Sequence, residues 1–71
     1  MAYNRREAQL KAIREALRAH GSPLHWEVLA AIVTAKHPAL FQSTRSVSRL
    51  LSWNHEEFES EGDGVYRLVA N

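Results

Sequence analysis

At 71 residues, 45% hydrophobic and 24% charged, the chain has the length of one small domain with a compact core and too much apolar content for a disordered segment. It has no cysteine, no apolar run long enough to span a bilayer and no basic-then-apolar leader, so disulfide frameworks and thiolate chemistry are excluded and a cytoplasmic setting is expected, for a whole small protein or an excised module alike. The formal net charge of +1 is unevenly spread: residues 1–36 carry +3, residues 37–55 carry +2 with no acid, and residues 56–71 carry −4.

Asn4 followed by Glu7 has the spacing of a capping box, and Leu10, Ile13 and Leu17 then recur at helical spacing among good helix formers. Gly21 supplies a left-handed stop, which sets a first helix at about residues 5–20. Lys11, Arg14 and Arg18 share one flank of it as a basic ridge, and Glu7 with Lys11 makes an i,i+4 pair. Ser22-Pro23 cannot continue the helix, and Leu24-His25 reads as a short extended link. A second helix is expected at about residues 26–36, buried and central, with Val28, Leu29, Ile32, Val33 and Ala35 inward and Glu27, Ala31 and Thr34 toward solvent. Pro38 ends it, and Ala39-Leu40-Phe41 tucks apolar side chains under the loop.

Ser43 or Thr44 is positioned to cap a third helix at about residues 44–53. Val47, Leu50 and Leu51 fall on one arc of its wheel, and Arg45, Ser48, Arg49 and Ser52 on the opposite one. After Asn54-His55 the period changes: Phe58 and Val65 to Val69 alternate like strands around Glu61-Gly62-Asp63-Gly64, whose Asp-Gly is a hairpin signal. A two-stranded hairpin is expected at about residues 57–69, with Tyr66 and Leu68 on the face of Phe58 and Arg67 on the other. The predicted fold is mostly α with a small β-hairpin (α+β): a three-helix bundle closed by a C-terminal wing, in one domain. Trp26 and Trp53 are both placed in its core, and an exposed one would mark a binding patch.

Two arginines and three hydroxyls (Thr44, Ser48, Ser52) on the outer arc of the third helix suit nucleic acid, because guanidinium groups pair with guanine or phosphate and hydroxyls bond to phosphate oxygens. No acid lies between Glu27 and Glu56 to repel phosphate. The ridge of Lys11, Arg14 and Arg18 could add phosphate contacts at the edge of such a site, and about four contacts imply a log-log salt slope of roughly −3 to −4. The histidines His20, His25, His37 and His55 lack metal-ligand spacing, so no metal or cofactor is expected; His25 instead suits the mouth of the second helix as a partial cap and His20 the negative end of the first. No nucleophile elbow or acid–histidine pairing supports an enzyme. Glu56, Glu57 and Glu59 read as a solvated face, or as a dock for a basic partner.

The phrase Pro23-Leu24-His25-Trp26 opening the second helix, and Phe58 through Gly64-Val65-Tyr66-Arg67-Leu68 closing the hairpin, resemble the winged helix-turn-helix superfamily, and within it the HARE-HTH type, over roughly residues 8–69. The resemblance implies duplex DNA binding with the third helix in the major groove and the wing on the backbone or minor groove. It carries Thr44, Arg45, Ser48, Arg49 and Ser52 into the contact. Glu61 and Asp63 depart from it, since basic residues are expected at such a tip. The implied role is a DNA-binding module of a larger bacterial regulatory, repair or defence protein, nucleoid-associated if bound. The competing role is protein–protein contact through the acidic wing or an exposed aromatic patch, with RNA binding third.

Overall fold

The second helix starts after the Gly21–Pro23 break and the third after Pro38. The computed structural model describes residues 4–69 and contains α1 (Arg5–His20), β1 (Leu24–His25), α2 (Trp26–Lys36), α3 (Thr44–Trp53), β2 (Phe58–Gly62) and β3 (Val65–Leu68). It is a small α+β domain of three helices and a three-stranded antiparallel sheet. Among the described residues no helix is long and apolar enough to cross a membrane.

At the head of α1, Asn4 Oδ1 accepts from the Glu7 N–H at 3.1 Å, satisfying one orphan donor of the first turn. Among the described residues no Glu7–Lys11 ion pair forms. Gly21 ends α1 at φ 97° and ψ 155°, an extended conformation at positive φ and not the left-handed helical one expected. The next peptide, Ser22–Pro23, is cis.

The extended link of the sequence reading is a strand. Leu24 pairs with Tyr66 and His25 with Val65, so β1 lies on the free edge of β3 and the sheet order is β1-β3-β2. The expected two-stranded hairpin is corrected to three strands. The cause is the backbone of β3, whose second edge needs partners once one side is paired with β2. Ser22 extends the match, its Oγ accepting from the Leu68 N–H at 3.0 Å.

On the other edge, Phe58 faces Leu68, Glu59 faces Arg67 and Ser60 faces Tyr66, then Gly62 pairs with Val65, which leaves Glu61 as an extra residue in a bulge. Asp63 at φ 55° and Gly64 at φ 78° make the turn, both at the positive φ that a tight primed hairpin demands. Gly64 then meets the start of α2. The Trp26 N–H donates to the Gly64 carbonyl at 2.8 Å, and the His25 and Trp26 rings stack with centroids 6.1 Å apart.

The core gathers one face of every helix around Phe58: Leu10, Ile13 and Leu17 from α1, Leu29, Ala30 and Val33 from α2, Val47, Leu50 and Leu51 from α3, with Phe41 from the loop. Trp26 is half-buried and packs against this cluster. The inward arc of α2 differs from the expected one: Ala30 is buried, while Val28 is 46% exposed and Ala35 is exposed. In a helix almost wholly apolar the buried side is chosen by its neighbours, and α1 and α3 both pack against α2 on the side of Leu29 and Val33. Arg5 and Gln9 donate to the Leu40 carbonyl at 3.1 and 2.7 Å, fastening the start of α1 to the α2–α3 loop.

Candidate nucleic-acid interface

The orientation of α3 follows from its apolar triplet. Burial of Val47, Leu50 and Leu51 turns the opposite side of a ten-residue helix to water. Ser43 occupies the N-cap position without a side-chain bond to the helix; the Ser46 N–H instead donates to the Ser43 carbonyl at 3.3 Å. Asn54 closes the other end, its Nδ2 donating to the Leu50 carbonyl at 2.8 Å.

On the outward side Thr44, Arg45, Arg49 and Ser52 are exposed and Ser48 is half-buried. Among the described residues neither Arg45 nor Arg49 has a carboxylate within ion-pair distance, and neither guanidinium donates a hydrogen bond. Ser52 Oγ donates to the Arg49 carbonyl at 3.1 Å, which leaves its lone pairs free to accept. The two arginines stand four residues apart, about 6 Å along the axis at the rise of an α-helix. The face therefore presents two unspent cations set among hydroxyls.

Trp53 belongs to this face and not to the core, where the sequence reading placed it: it is 65% exposed. On the wheel it falls one step beyond Arg49, at the end of the polar arc, and that position was the signal available in the sequence. Phe58, which the chain brings back after the Asn54 cap, is the aromatic side chain fully buried in the core. Among the described residues no other ring stacks on the indole.

The basic ridge of α1 divides. Lys11 and Arg18 are exposed, but Arg14 Nη1 donates to Glu57 Oε1 at 2.7 Å. That ion pair spends one cation of the ridge and one carboxylate of the acidic run, whose Glu56 and Glu59 are exposed. Helix α1 packs chiefly on α2 and β3. Arg6, which sequence spacing did not single out, is the α1 cation that reaches the far end of α3: its Nη2 makes a long contact with Asn54 Oδ1 at 3.5 Å. No pattern within either helix encodes a meeting across 48 residues.

The hairpin is acidic and its cation is spent. Arg67 Nη2 donates to Glu59 Oε1 at 2.8 Å and its Nε lies 3.4 Å from Glu61 Oε2. The hydrogen bond to Glu59 and the charge of that carboxylate push the guanidinium further above its ordinary pKa. Glu56 and Asp63 are exposed and, among the described residues, unpaired. Of the histidines, His25 caps α2, its Nδ1 accepting from the Glu27 N–H at 3.1 Å, as the sequence reading expected. His20 ends α1 and is exposed, His55 is exposed and His37 half-buried. Among the described residues no three His, Cys, Asp or Glu side chains converge as metal ligands do.

A shallow groove of about 20 Å³ lies between α1 and α2, lined by Ala12, Ala16, Ile32 and Val33 with Glu15, His20 and Lys36. It is smaller than the roughly 300–1,000 Å³ clefts that enclose small molecules. No family model matches the chain, and no curated protein or solved structure matches it significantly. The surface chemistry of α3 is therefore what a functional reading has to rest on.

Proposed function

We propose that this chain is a winged-helix module that binds duplex DNA, with the outer face of α3 set against the major groove. The element order α1-β1-α2-α3-β2-β3, with the hairpin returning to pair with β1, is compatible with that fold. The observation that carries the reading is the pair Arg45 and Arg49, exposed, unpaired among the described residues and one turn apart on a helix without an acid. Guanidinium groups left without internal partners are free to neutralise phosphate or to fork onto guanine, and the flanking Thr44, Ser48 and Ser52 can bond to phosphate oxygens. The acidic hairpin places the reading's weight on α3 alone, since Glu61 and Asp63 would repel a backbone at the wing.

Titration of the chain with duplex DNA at low salt, followed by amide chemical shifts, tests this. Binding in the range of non-specific duplex contacts, roughly 10⁻⁴ to 10⁻⁶ M, is expected, with shifts centred on Thr44 to Trp53. Replacing Arg45 and Arg49 together with Ala removes most of that affinity and leaves stability within about 0.5 kcal/mol, because exposed side chains without partners contribute little to folding. Unchanged binding in the double variant would exclude α3 as the contact. A second reading, protein contact through the hairpin, draws on the unpaired Glu56 and Asp63, and it predicts no response to DNA at any concentration below millimolar.

A further inference from the structure

The exposed indole of Trp53 is the feature that phosphate and groove contacts leave unused. Burying a tryptophan is among the largest gains a small core can make, yet this one stays 65% exposed while Phe58 is fully buried. Its surroundings identify the kind of surface it serves. The described residues include one other exposed large hydrophobic side chain, Val28, and that lies on α2. Along α3 itself Trp53 is the one exposed apolar side chain, Val47, Leu50 and Leu51 being buried, whereas tryptophans that anchor protein interfaces sit within an apolar, water-excluded centre. What lies beside it is cationic and polar: Arg49 one turn back, Arg45 two turns back, and Arg6 reaching Asn54 from α1.

An aromatic face set in line with arginines is the chemistry of base stacking beside a neutralised backbone. Every base has a π-face, and the guanidinium groups hold the phosphates next to it. In paired, stacked DNA those faces are covered by neighbouring bases. A ring at the last residue of α3 finds a free one only where a base has left the stack.

We infer that Trp53 is a stacking platform for an unpaired base, and that the DNA taken by α3 carries a step from duplex to single strand. This rests on the DNA-binding reading of α3.

The test compares two probes, a fully paired duplex and the same duplex extended by a single-stranded dT overhang, with the wild-type chain, Trp53→Ala and Trp53→Phe. Wild type should prefer the overhang probe and lose tryptophan emission on binding it. Trp53→Ala should weaken the overhang probe by about 5- to 150-fold, the range of one base–aromatic stack, and leave the paired duplex within about twofold. Trp53→Phe should keep most of the preference while losing the emission change, which separates stacking from any effect on folding. Equal affinity of wild type for both probes, or equal loss on both in Trp53→Ala, would overturn the stacking role and leave the α3 reading standing. Failure of the wild-type chain to bind either probe would overturn both, and would favour a protein as the partner.

Discussion

Gly64 sits at φ 78° with its carbonyl taken by the Trp26 N–H, and a Cβ built on it would lie 2.7 Å from His25 Nε2 and 2.9 Å from Trp26 Cδ1. Conformation and space both demand glycine there, because a side chain strains the turn and pushes the ring that begins α2. Gly64→Ala should therefore destabilise the fold by about 1–3 kcal/mol, read as a lower urea midpoint. Trp53 and Arg45 behave in the opposite way, since neither has an internal partner whose loss would register in folding. At this scale a side chain's role follows from whether the rest of the chain has already used it. Arg14 and Arg67 are spent on Glu57 and Glu59, while Arg45 and Arg49 are not.

Among the elements, the helices were the legible part. Asn4 with Glu7 and Gly21 bound α1, Pro23 and Pro38 bracket α2; Asn4 fixes its boundary by satisfying a backbone donor, the prolines by removing one and Gly21 by its positive φ. The outward side of α3 was legible for the same local reason, three apolar residues on one arc. A two-residue strand has no period to read, so β1 emerges only when the unpaired edge of β3 is considered. The Arg14–Glu57 bridge was equally hidden, because its partners lie 43 residues apart and no spacing rule reaches that far. It joins α1 to the turn before β2, with both groups partly exposed. A double-mutant cycle with Arg14→Ala and Glu57→Ala should return a coupling of about 0.2–1 kcal/mol that falls as salt is added.

The molecule as a whole is acidic along its hairpin and basic along α3, and on the proposed DNA-binding reading this division sets how binding responds to ionic strength. Counting only the unspent arginines of α3 gives two phosphate contacts, hence a log-log salt slope of roughly −2 at about 0.9 per contact. That is shallower than the slope of roughly −3 to −4 that four contacts, including the α1 ridge, would produce. A measured slope in the steeper range would place Lys11 and Arg18 in the interface as well. The reduction comes from tertiary structure: a ridge that looks continuous on one helical wheel loses Arg14 to an ion pair and is carried by a helix packed chiefly on α2 and β3.

The turn of the hairpin is clasped to the first residue of α2 by the bond between the Trp26 N–H and the Gly64 carbonyl, and the edge of β3 is stitched to Ser22, Leu24 and His25. Swinging the hairpin toward a ligand would tear those stitches one after another. On the proposed DNA-binding reading the molecule is consequently a fixed die pressed onto a shape that already fits it, and any bending or unstacking at the contact has to be supplied by the partner.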